Sequence, residues 1–295
     1  MQLLASGIGF GIVSGAVLAL GAMGFSLQFG MTNVLNLAYG SLMSMGALVA
    51  LLLNENGVSI WVAALLAAVA VALTSLLIGS TIYRAFARRG ARLFTMAILS
   101  VAVSLIVDFG MGAITRSNVY QFSFPQGAIH AFLGMTFTTT QLIIVASAAV
   151  IVALLEGMLH YTKLGVAIRA TAANTALARA SGIRTSLVVT VTWLTSGALC
   201  GLGGVALALS YLTVSFQTGT TFLPYILAAV IVAGIGAVGY AALSALILAL
   251  AIQISGAFGA AEYNVVIAVG VLLVMLMVRP QGFFGELWEK VQVTA

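Results

Sequence analysis

Apolar runs of membrane length, set apart by short polar interruptions, make up nearly the whole chain. No side chain ionises at neutral pH before Glu55, and none between Arg184 and Glu262. A helix needs roughly 20 apolar residues to cross a bilayer. The runs divide into eight spans: 5–28, 37–53, 60–82, 93–115, 141–160, 187–209 and two long segments near the end. A further apolar stretch, PYILAAVIVAGIG, is too short for an ordinary span, and reads as a tilted short helix or a re-entrant element. The opening MQLLASGIGF lacks the basic flank and cleavage site of a secretory signal and reads as the start of the first span. The expected fold is all-α, a polytopic helical bundle forming one transmembrane domain over residues 1–295.

Composition agrees with the pattern. The chain is 62% hydrophobic and 6% charged, with a mean hydropathy of +1.21, whereas soluble domains carry about 25% charged residues. The net charge of +5 does not indicate nucleic acid, because the cations gather in two loops. Arg84, Arg88, Arg89 and Arg92 occupy one, and Lys163, Arg169, Arg179 and Arg184 the other. Such loops face the cytoplasm. The N-terminus, the NENGVS turn with Glu55, the segment 116–140 and YLTVSFQTGTTF then lie outside. If the short element crosses, the tail after Arg279 is cytoplasmic; if it re-enters, the tail is external, and Arg279 and Lys290 favour the inside.

Gly7, Gly11 and Gly15, with Ala19 next on the same face, and Gly197 with Gly201 follow the four-residue spacing that lets helix backbones approach in lipid. Cys200, the single cysteine, reads as a buried inert thiol. No phosphate-binding loop and no metal-ligand spacing is found, so neither enzyme activity nor a cofactor is expected. His130, in the external loop, and His160, at a cytoplasmic span end, read as solvated or headgroup positions and not as catalytic groups. Asp108, about 24 Å along its helix from Arg92, falls near the outer headgroups. Glu156 lies near the inner face and Glu262 in the polar turn AEYN. A secondary carrier would need an ionisable group near the midplane or an inverted repeat. The chain reads instead as a conduit without its own energy source.

Two stretches stand out. GMTNVLNLAYGSLMSMG places Asn33, Asn36, Tyr39, Gly40 and Ser41 inside an apolar region. In LGVAIRATAANTALARASGI, two short helical patterns meet at Asn174, a good N-cap, and the second ends at Gly182, a good left-handed C-cap followed by Ile183. Ala170, Ala173, Ala176, Leu177, Ala180 and Ile183 form a small apolar face, with Arg169 and Arg179 available to a partner. This loop, at about 161–186, is a solvated connector or a coupling helix seated in another subunit. Late in the chain, Gly234 and Gly236 end the short apolar element, where glycine permits a sharp reversal or a close helix contact.

The chain resembles the permease subunits of branched-chain amino acid ABC transporters, over nearly its whole length. Four stretches carry the resemblance: NVLNLAYGSLMSMGAL, LGVAIRATAANTALARASGI, AGIGAVGYAALSALILAL and RPQGFFG. The family pattern of asparagine, aromatic and Ala-His-Gly falls on 36–40, with Leu37 and Tyr39 as departures. Asn174 and Thr175 stand where the family commonly has Asp-Pro, and 233–238 reads AGIGAV where it has Gly-Gly-Ile-Gly-Ser-Pro. The resemblance implies an importer half in the bacterial inner membrane. It would pair with a second homologous permease, dock two cytoplasmic ATPase subunits through the loop, and receive substrate from an extracytoplasmic binding protein. The implied cargo is a branched-chain or other hydrophobic amino acid; relatives handling urea, short amides and other small metabolites provide the alternative. Asn33, Asn36, Tyr39, Gly40 and Ser41 then mark a broken helix bordering the translocation route, with Gly234 and Gly236 on the same route. The same amides also read as caps of two helix ends, and the two readings are compatible.

Overall fold

A computed structural model describes residues 2–279 apart from 123, 133, 134 and 235, together with 282 and 283. Most of the RPQGFFG motif, and with it Lys290, lies outside the described residues. The predicted helical bundle is what the structure shows. Its helices are α1 (Gln2–Thr32), α2 (Tyr39–Glu55), α3 (Ile60–Ile78), which runs through a π turn at Gly79–Tyr83 into α4 (Arg84–Arg88), and α5 (Leu93–Ile114). Then come α6 (Thr139–Tyr161), α7 (Lys163–Ala173), α8 (Thr175–Ala180), α9 (Thr185–Tyr211), α10 (Thr218–Ala233), α11 (Val238–Ser255) and α12 (Asn264–Val278). Six of the helical segments are long and apolar enough to cross a membrane, whereas α2, α10 and α12 hold 17, 16 and 15 residues.

Small residues set the helix seams, as their spacing predicts. A Cβ at Gly11 would come within 2.8 Å of Leu250, and one at Gly15 within 2.7 Å of Leu246, so α1 and α11 lie antiparallel with their backbones close. Gly197 and Gly201 meet Ala72 and Ala68 in the same way, joining α9 to α3. In lipid there is no hydrophobic drive between helices, so close van der Waals contact of this kind supplies the association. Gly15→Leu is expected to destabilise the bundle by about 1–3 kcal/mol through overpacking, read as a lower thermal midpoint of the purified protein. An unchanged midpoint would contradict the seam. Large apolar side chains such as Leu65 on α3 and Ile106 on α5 are exposed, as lipid-facing residues should be.

The bundle has two distinct ends. One carries residues 33–38, the arginine-rich turn after α4, and the α7–α8 pair; the other carries the turn after α2 and four short strands. β1 (Tyr120–Gln121) pairs with β4 (Thr213–Val214), and β2 (Ile129–Phe132) with β3 (Met135–Thr138), so the segment expected as an external loop is partly a hairpin. The late apolar element crosses. α9 ends at the strand end of the bundle, whereas α11 begins beside Gly30 at the arginine end, so the chain between them passes through. It does so as a non-helical leg followed by α10. After α12, Phe283 N–H donates to Val232 O (2.9 Å), which brings residues 282–283 back to the arginine end.

Candidate functional site

The helix break is real and lies inside the protein. α1 stops at Thr32, Asn33 takes a left-handed conformation (φ 51°), and regular helix resumes at Tyr39. Non-helical backbone at membrane depth needs partners within the protein, and they are present. Leu37 N–H donates to Ser100 Oγ (3.1 Å), and the Asn36 Oδ1 accepts from Ala38 N–H (3.2 Å) and from the Tyr83 hydroxyl (2.8 Å). Asn36 is buried, and its Nδ2 has no partner among the described residues. Asn36→Leu keeps the volume but strands two buried donors, at about 1–3 kcal/mol each. The expected result is a several-fold drop in uptake per assembled complex together with a lower thermal midpoint. Wild-type uptake from the variant would remove Asn36 from the route.

Tyr39, Gly40 and Ser41 point to three different neighbours. The Tyr39 hydroxyl donates to Ser196 O (3.3 Å) while its ring meets Phe25 edge-on at 5.5 Å. A Cβ at Gly40 would lie 2.8 Å from Gly219 O and Thr220 Cα, so this glycine sets the closest approach of α2 and α10. Ser41 Oγ bonds Ser104 Oγ (2.7 Å) and approaches Thr220 Oγ1 (3.4 Å), and Thr220 in turn donates to Asp108 (3.1 and 3.2 Å to the two oxygens). The expectation for Asp108 is corrected here. The carboxylate is 4% exposed and enclosed by α2, α5 and α10, because a helix position counted from Arg92 says nothing about which face the neighbouring helices cover. Thr220, 112 residues away in sequence, is a donor to this enclosed acid.

At the arginine end, Gly234 (φ 100°) and Gly236 (φ 89°) turn the chain between α10 and α11. A Cβ at Gly30 would lie 3.0 Å from Gly236 Cα. Asn33, Gly236 and Arg169 line one cavity of about 150 Å³ with Gly30 and Ile168. The structure thus brings residues from three of the four family-like stretches to one cavity. Beside it, Glu156 Oε2 pairs with His160 (3.1 Å), whose side chain remains exposed. The Glu156 carboxylate fills the space a side chain at Gly239 would need.

The α7–α8 pair is built as its caps predict. Asn174 Oδ1 accepts from Ala176 and Leu177 N–H (3.0 Å each), and Gly182 (φ 83°) donates to Arg179 O (3.0 Å) while Ile183 N–H reaches Ala178 O (3.0 Å). Arg169 donates to Leu159 O, fastening α7 to the end of α6. Ile168, Thr171 and Ala178 pack inward, whereas Ala173, Ala176 and Ala180 are exposed and Leu177 is 65% exposed. Arg179 Nε donates to Thr185 Oγ1 (3.0 Å), so this arginine is held by its own chain and is not simply free for a partner.

A broken helix, a buried acid among hydroxyls and an exposed, capped helix pair at one end describe a multi-pass membrane permease. The family described as "Branched-chain amino acid transport system / permease component" matches residues 7–276, and the chain belongs to it. The "Probable branched-chain amino acid transport permease protein LivH" of Methanocaldococcus jannaschii is 29% identical, covering 95% of this chain and 92% of its own. The "High-affinity branched-chain amino acid transport system permease protein BraD" of Pseudomonas aeruginosa is 27% identical, with 94% of each chain covered. Among solved structures, "PsaBC from Streptococcus pneumoniae in complex with Fab" is similar over 97% of this chain and 94% of that one, at TM-score 0.47 and 15% identity.

Proposed function

We propose that the chain is one of two permease subunits of an ABC importer in the bacterial cytoplasmic membrane, moving branched-chain or other hydrophobic amino acids. An extracytoplasmic binding protein delivers the substrate at the strand end, and two ATPases seat on α7–α8 at the arginine end. The observation that carries this reading is the exposed small-residue face of α7–α8, centred on Leu177, standing one wall away from the turn at Asn33 and Gly236. Ala173, Ala176, Leu177 and Ala180 together present an exposed apolar helix face of the kind a partner's groove receives. Movement of that groove shifts the permease only if it binds one conformation better than another. Arg169, Asn174, Arg179, Gly182 and Ile183 form this element and its fastening. Asn33, Asn36, Tyr39, Gly40, Ser41, Gly234 and Gly236 border the route, joined by Asp108 and Thr220.

Hydrolysis then belongs to the separate ATPases, and this chain carries no reaction of its own. Detergent extraction through a tag on this chain is expected to bring down two ATPase subunits and a second permease. A chain that purifies alone, and moves substrate in sealed liposomes without ATP, would reverse the assignment.

A further inference from the structure

The π turn Gly79–Tyr83 lies where α3 runs out of the bundle, and such turns frequently accompany functional sites. Gly79 leaves the space its side chain would fill to the Trp193 ring, and Tyr83 packs on that ring at 5.3 Å. Next to this contact a cleft of about 460 Å³ opens between α3–α4, α9 and the α7–α8 pair. Arg84 and Arg179 both line it, and among the described residues no acidic one does. Arg84 is exposed, and its guanidinium makes no hydrogen bond or ion pair among the described residues. Arg179 is oriented by Thr185 Oγ1. Two arginines lining one cleft, together with the hydroxyls of Thr171, Thr175 and Thr190, suit an anion with several oxygens such as a phosphate.

The rest of the cleft decides which phosphate. Leu76, Val189 and Trp193 line it beside several Ser and Thr hydroxyls, and Leu73 and Leu77 continue along α3 from Leu76 at 57% and 61% exposure. A headgroup seated between the arginines would therefore have an uncovered apolar track for its chains, which a free phosphate or a nucleotide would not use. The cleft sits at the end carrying the positive loops, so it faces the inner leaflet. We propose that this cleft binds the phosphate headgroup of an anionic phospholipid, bridging α4 and α8. Bound there, the lipid ties the α7–α8 pair to the bundle. The site belongs to this chain alone and does not depend on the importer reading.

The test titrates the purified full chain with phosphatidylglycerol or phosphatidylcholine and counts retained lipid by native mass spectrometry. Phosphatidylglycerol is expected to be retained in preference. Arg84→Gln is expected to weaken it roughly fivefold or more, while Arg89→Gln, in the turn beyond the cleft, leaves it unchanged. Equal retention of the two lipids, or wild-type binding by Arg84→Gln, overturns the proposal. So does displacement of the lipid by excess inorganic phosphate, which would make the cleft a free-anion site.

Discussion

Leu177→Glu is expected to leave the bundle folded and the partners expressed, yet to lower substrate-stimulated ATP hydrolysis and uptake together by roughly tenfold. Leu177 is 65% exposed, so the change removes little from the chain's own core, and Glu is a good helix former. What it removes is an apolar anchor from a partner's groove, where such truncations cost about 2 kcal/mol or more. Gly182→Pro should act in the same direction by another route. Proline holds φ near −65° and has no N–H, whereas Gly182 sits at φ 83° and donates to Arg179 O. The cap of α8 is then lost. Arg179→Glu is less clean, because it breaks the bond to Thr185 as well as changing the surface. The measurement is ATPase activity of the reconstituted complex with and without loaded binding protein. Full stimulation in both Leu177→Glu and Gly182→Pro would reduce α7–α8 to a connector and move the coupling site to 84–92.

Gly236→Val is expected to abolish most uptake and to lower stability by about 2 kcal/mol or more. A β-branched residue at φ 89° is a backbone outlier, and strain of this kind costs on the order of 1–3 kcal/mol. Space is not the main obstacle, since a Cβ at Gly236 would lie 3.5 Å from Gly30 Cα, an ordinary contact. Strain and crowding are therefore separable. Gly236→Asn, which tolerates positive φ better, should retain much more uptake than Gly236→Val. Equal loss in the two variants would place the defect in contact with Gly30 instead. The comparison is made on uptake per assembled complex and on the thermal midpoint.

Local signals carried much of this structure. The four-residue glycine spacing marked the α1–α11 and α9–α3 seams, Asn174 and Gly182 marked the ends of α8, and the amides at 33–36 marked the break. Each depends on a backbone conformation or a helical period confined to a few neighbouring residues. What the sequence hid are partners far apart along the chain. Tyr83 reaches Asn36 across 47 positions, Thr220 reaches Asp108 across 112, and Ser196 donates to Gln28 Oε1 across 168. The enclosure of Asp108 was not legible, since burial depends on which helix covers that face. The π turn at Gly79–Tyr83 was not legible either, and the Trp193 ring that packs against Gly79 there comes from far along the chain. The passage of α10 through the bundle was left open by its length, and it is decided by where α9 ends and α11 begins.

The central claim, that this chain is the membrane path of an ATP-driven amino acid importer, is tested most directly by uptake of radiolabelled leucine into proteoliposomes. These would hold this chain, the second permease and the ATPases, with binding protein supplied on the receptor side. Accumulation that requires both ATP and loaded binding protein, and that unlabelled isoleucine or valine suppresses while urea does not, is the expected result. Leucine movement that proceeds without ATP, or uptake suppressed by urea and indifferent to isoleucine, would contradict it.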